Sequence, residues 1–117
     1  IDVTSSEGWR FSRNYIFGKR DDLGELAPFT TIHLYGKLYN QDVTEYLTNI
    51  VWTRDTGDPA KDNQWAQQIA QRKDQLTLPL KGSDLGEHWS NDIPCVFKVT
   101  AEIHDGEVYQ TDLEIVF

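Results

Sequence analysis

The chain has no methionine, a single cysteine, and no apolar run approaching the roughly 20 residues that a membrane-spanning helix needs. Without an initiator, residues 1–117 are expected to be one domain excised from a longer chain. A lone thiol, Cys95, can form neither an internal disulfide nor a multi-cysteine zinc site, so the fold must rest on its apolar core. Positive charge is also scarce. Eleven Lys and Arg against 19 Asp and Glu leave a net charge of −8, which argues against a phosphate-backbone partner. No basic-then-apolar leader opens the chain. With 38% hydrophobic and 12% aromatic residues, the composition is that of a folded, soluble domain rather than a disordered tail.

Strand periodicity fills most of what is present. In FTTIHLYGKLY, from Phe29, residues Ile32, Leu34, Gly36 and Leu38 share one face, and Thr31, His33, Tyr35 and Lys37 the other, as in a half-buried strand. NQDVTEYLT is a polar connection. TNIVWTR follows as a second strand, with Ile50 and Trp52 on one side and Val51 and Thr53 on the other. Asp58-Pro59 or Asp62 can then cap a short helix whose Trp65 and Ile69, four apart, share a face. In DQLTLPL, Leu76, Leu78 and Leu80 alternate with polar positions, and Pro79 marks an edge or a strand end.

The C-terminal 23 residues carry the clearest pattern, with Cys95, Phe97, Val99, Ala101 and Ile103 on one face and Tyr109, Thr111, Leu113, Ile115 and Phe117 on a second strand. A loop of His104, Asp105 and Gly106, with Gly106 left-handed beside a bulge, pairs Ala101 with Tyr109, Val99 with Thr111 and Phe97 with Leu113. IDVTSS reads as an opening edge strand, and residues 9–28 as one short strand and a long loop. The DLGE repeated at 22–25 and 84–87 lacks matching flanks and is read as shared turn chemistry. These segments add up to an all-β fold, an antiparallel β-sandwich with one short helical crossover.

Few constellations carry chemistry. Asp55, Asp58 and Asp62 lack the alternate-position ligands, central glycine and closing glutamate of a calcium loop, so capping and turn solvation are the expected roles. His33, His88 and His104 fall on separate elements without zinc-ligand spacing. There is no G-x-S-x-G elbow, and Cys95 on an inward strand position reads as a small apolar filler. No enzyme activity, metal or cofactor is expected. Trp9 in EGWRF and Trp89 in GEHWSND sit in polar contexts, and with Asn91 and Asp92 they form the candidate ligand-binding set. An aromatic face beside amide and carboxylate groups can stack on and hydrogen-bond a sugar; the alternative is that these rings pack as lids over the core.

Taken together, VTSS at 3–6, TTIHLYGKLYNQDVTEYL, NIVWTRDTGD, DNQWAQQIAQRKDQLTLPLKGSDL and CVFKVTAEI resemble the immunoglobulin-like domains of bacteriophage tail and baseplate-associated virion proteins, covering most of residues 29–103. Trp52 and Cys95 stand where immunoglobulin domains keep a core tryptophan and second cysteine. Ile93 stands where those domains keep a tyrosine two residues before that cysteine, Leu34 or Gly36 where they keep the partner cysteine, and Asn40-Gln41 where the family has its usual Asn-Gly turn. The resemblance implies a non-enzymatic structural or adhesion module on the virion tail. Its partners would be other tail proteins or flanking domains, with weak contact to a host-surface glycan. A bacterial surface adhesion domain, or a carbohydrate-binding module serving a linked enzyme, is the alternative.

Overall fold

The computed structural model describes the backbone of all residues except 39, 87–88, 91–92 and 106, and side chains except also those of 38, 104–105 and 107–112. In chain order the elements are β1 (Asp2–Ser5), α1 (Arg13–Gly18), β2 (Thr30–Tyr35), β3 (Lys37–Leu38), β4 (Gln41–Asp42), β5 (Leu47–Asp55), α2 (Pro59–Ala70), β6 (Thr77–Leu80), β7 (Val96–Asp105) and β8 (Glu107–Val116). They build two three-stranded antiparallel sheets, ordered β1-β2-β6 and β5-β7-β8, and a small β3-β4 hairpin. Ile32, Leu34, Leu78 and Leu80 from the first sheet join Trp52, Phe97, Val99, Ala101, Ile103 and Ile115 from the second in one apolar cluster. Rings bridge the sheets directly. Phe29, whose N–H bonds Leu80 in β6, lies 5.9 Å from Phe117, which pairs with Cys95.

β1 and β6 are the edges of the first sheet, as their sequences suggest, and exposed Pro79 sits opposite Thr31 without breaking the pairing. In β5 a register shift between Thr48 and Val51 coincides with Asn49 at φ 50°. This extra residue reverses the alternation, so buried Leu47 and Trp52 face inward although they differ in parity.

The long strand expected from Phe29 stops at Tyr35. A Cβ on Gly36 would lie 3.1 Å from Leu47 Cδ2 and 3.3 Å from Val43 Cγ2, so the chain passes close against the core there and a side chain would have to push these methyls aside. It then turns through the β3-β4 hairpin, where Asn40 takes the left-handed φ of 66° that asparagine tolerates best after glycine. Asp42 closes the next turn by accepting from the Thr44 N–H at 2.9 Å and hydroxyl at 2.6 Å. Those bonds hold its carboxyl below the usual range.

The β7-β8 pairing corrects the expected register by two residues. Val99 pairs with Leu113, Phe97 with Ile115, Ala101 with Thr111 and Ile103 with Tyr109. A two-residue slip leaves every side chain on its face, so alternation cannot distinguish the two registers. The observed one extends the ladder to Cys95 and Phe117, which exchange two N–H···O bonds of 3.0 Å. That brings the Phe117 ring against Phe29 and Phe97. His104, expected in the loop, is paired with Val108, and the expected left-handed Gly106 lies outside the described residues.

The second correction is at residues 9–28. The segment contains α1, not a strand, capped by the Ser12 hydroxyl accepting from the Tyr15 N–H, with Ile16 fully buried. A lone bridge between Arg20 and Leu26 closes the turn that follows. The glycine of each DLGE copy takes a positive φ, Gly24 at 77° and Gly86 at 91°. The turn at Gly82–Leu85 packs against α1 so closely that a Cβ on Gly82 would lie 2.9 Å from Phe17 Cδ1. Gly82→Ala should therefore destabilise the protein by about 1–3 kcal/mol, read as a lower urea midpoint at unchanged slope.

Candidate functional site

Residues 52–70 form the join between the sheets. Asp58 caps α2 by accepting from the Lys61 N–H at 3.2 Å, and Pro59 begins the helix with its φ already set. The helix carries the chain from β5 in one sheet to β6 in the other. Its C-terminal carbonyls are met by Gln75, whose Nε2 donates to Ile69 O at 2.8 Å and Arg72 O at 2.7 Å. Trp52 Nε1 donates to Gln75 O at 3.0 Å, tying this return to β5.

A buried polar cluster lies under the join. Arg54 Nε donates to Asp62 Oδ1 at 2.8 Å, with both side chains less than a tenth exposed. Asp62 also accepts from the Thr56 N–H at 2.8 Å and its hydroxyl at 2.7 Å. The second Arg54 arm reaches Asp84 O at 3.0 Å, and Asp84 Oδ1 accepts from Trp65 Nε1 at 3.0 Å. Trp65 in turn packs 5.3 Å from the Phe97 ring. Burial raises the Asp62 carboxyl, but the Thr56 bonds and the Arg54 guanidinium outweigh it and hold the group below the usual carboxylate range.

The three acids of this stretch thus do separate backbone and side-chain work. Asp55 accepts from the Gly57 N–H at 3.0 Å, Asp58 caps the helix, and Asp62 anchors Arg54. Among the described residues no group of three His, Cys, Asp or Glu is placed to hold a metal ion. His33 is exposed on β2, while His88 and the His104 side chain lie outside the described residues. Cys95 is fully buried, and that burial pushes its thiol up to about 12. The folded protein should therefore resist Ellman's reagent at pH 8 and react only once unfolded; rapid modification of the native state would show that the strand is open there.

The sequence-designated ligand residues divide. Trp9 is 43% exposed, whereas Trp89, expected at an open position, is 4% exposed. Trp89 Nε1 donates to Phe117 O at 3.0 Å and its carbonyl accepts from Arg13, so this ring is a lid on the core. Asn91 and Asp92 lie outside the described residues. Trp9 and Trp89 nevertheless meet at one place. Together with Arg10, Phe11, Ser12 and Phe117 they line a cleft of about 540 Å³ at the rim. Trp9 stands 6.1 Å from Phe117, and Phe11 lies between Phe117 at 6.2 Å and Tyr15 at 5.6 Å.

A wider cleft of about 620 Å³ runs along α2, with Lys61, Gln64 and Gln68 on one wall and Phe17, Ile93 and Pro94 among its apolar lining. The charged groups at its floor, Arg54 and Asp84, are spent on the cluster that holds the join. Among the described residues no buried side-chain polar atom lacks a partner. The rim cleft is therefore the better candidate of the two for contact, because it combines an exposed tryptophan with an adjacent cation. Sequence reasoning missed Arg10 and Phe11, although both directly follow Trp9 in WRF. No helix among the described residues is long and apolar enough to cross a membrane. Comparison with protein-family models, curated proteins and solved structures finds no match to this chain.

Proposed function

We propose that the chain is a non-enzymatic, immunoglobulin-like module of a bacteriophage tail protein, which spaces neighbouring domains and makes weak rim contact with a host-surface glycan. Supporting the family part of this reading, the segments that carry the resemblance are those with defined structural work. WTRDTGD holds the Arg54–Asp62 pair, Trp65 plugs the crossover, and DVT closes the turn after β4. Trp52 and Cys95 both lie in the shared core, where an immunoglobulin-like arrangement would put them.

The observation that carries the contact is the exposed Trp9 over its rim cleft, since a large aromatic left open beside polar groups favours stacking on a sugar ring. The proposed partners are flanking domains and neighbouring tail proteins, and the proposed location is the virion tail. Gold-labelled antibody against the domain, imaged on purified particles, tests membership: label at the tail supports it. Label on a bacterial envelope and on no particle would replace it with a surface adhesion domain.

A further inference from the structure

The strip from Trp9 to Arg20 has a charge that contradicts the rest of the chain. It holds Arg10, Arg13, Lys19 and Arg20, four of the 11 basic residues, and no acid, in a protein of net charge −8. All four are exposed, and among the described residues none lies within 4 Å of a carboxylate. Arg13 borders the rim cleft through its bond to the Trp89 carbonyl, and its guanidinium sits 4.4 Å over Phe17. Lys19 lies 4.8 Å over the Tyr15 ring, and Arg20 donates to the Gly24 carbonyl. Arg10, on the cleft beside Trp9, makes no hydrogen bond to any described residue.

We infer that this cleft is a subsite for one carboxylated sugar ring of an acidic polysaccharide, which deepens the glycan contact proposed above and rests on it. The indole of Trp9 takes the apolar face of the pyranose, and the planar guanidinium of Arg10 takes the carboxylate in a two-pronged hydrogen bond. Arg13, Lys19 and Arg20 supply a local positive field that draws an anion to an otherwise repelling surface.

Two other anionic partners fit less well. Single-stranded nucleic acid stacks successive bases on successive open rings and neutralises a charge at each unit. Here the exposed rings of the strip are Trp9 and Tyr15, at 43% and 37%, and Tyr15 already stacks on Phe11 beneath Lys19, so Trp9 is the more open platform. For an anionic membrane, the most exposed apolar side chain nearby is Leu23 at 87%, but Asp21, Asp22 and Glu25 surround it in sequence and would be repelled by the headgroups.

Titration of the intact 117-residue protein with a tetragalacturonate, followed by the Trp9 Nε1–H resonance and by calorimetry, tests the inference. Binding should be saturable, should weaken on the order of tenfold between low and physiological salt, and should exceed binding of the neutral tetragalactose by a similar factor. Trp9→Ala and Arg10→Gln should each reduce affinity about tenfold or more, Arg10→Gln at an unchanged melting temperature, whereas Lys73→Gln, the same charge change outside the cleft, should not. Equal affinity for the neutral sugar, insensitivity to Arg10→Gln, or tighter binding of oligo(dT) or phosphatidylglycerol vesicles would each overturn it. No binding of the uronate at millimolar concentration would overturn it too, while particle labelling would still decide the module reading on its own.

Discussion

Trp65→Ala should lower the unfolding free energy by about 3–5 kcal/mol, a fall in melting temperature on the order of 10–20 °C for a domain of this size. The ring is 6% exposed, packs against Phe97, and lies beneath the Arg54 guanidinium at 5.6 Å. Its removal leaves a cavity between α2 and the core, and strands the Asp84 carboxylate oxygen that Nε1 now satisfies. Trp65→Phe separates the two contributions. It keeps much of the ring packing but loses the hydrogen bond and the indole's second ring, so it should cost less, about 1–3 kcal/mol. Equal melting temperatures for wild type and Trp65→Ala would mean that the helix is not fastened to the sheets.

Asp62→Ala should be comparably severe, at about 3–5 kcal/mol, because it leaves the Arg54 charge buried without its counter-ion and removes the acceptor for both Thr56 bonds. The double variant Arg54→Met, Asp62→Leu should recover much of that loss, since no uncompensated charge remains in the interior. The same pair sets an acid limit. Because the Asp62 carboxyl lies below its unfolded value, its contribution is fully present above about pH 4 and is lost as pH falls through the folded value. Urea midpoints between pH 7 and pH 2 should show this decline in the wild type. Asp62→Asn should show a shallower one, and an identical slope in both proteins would remove the pair from the account.

What could be seen in the sequence follows from how local each signal is. The inward positions of β7 and β8 are marked by strict alternation, and α2 by the Asp58-Pro59 start, since both signals lie within a few residues of the structure they specify. Register is different in kind. A slip of two preserves both faces, and only the distant packing of Phe117 on Phe29 and Phe97 decides it. α1 escaped because six residues with one buried position, Ile16, have no period to detect; the cap at Ser12 was the available clue.

The rim divides along the same line. Trp9 and Trp89 sit in equally polar stretches, and their fates are set by partners elsewhere, Phe117 O and Arg13 for Trp89 and, among the described residues, none of that kind for Trp9. Which of two tryptophans is the lid and which is left open is a tertiary property. The cations of residues 9–20 were visible as residue types, but that none of them meets a carboxylate among the described residues is known only once the chain is folded.

The claim beneath all of this is that two sheets share one apolar core, with α2 strapped across the join and molecular contact left to the rim. A two-dimensional NOE spectrum of the aromatic region tests it most directly. Cross-peaks between the ring protons of Phe29 and Phe117, and from Phe97 to both Trp65 and Phe117, are the expected result, because these rings come from both sheets and the helix and lie within 6 Å of one another. Their absence, with Phe29 and Phe117 resonating at free-chain positions, would contradict it.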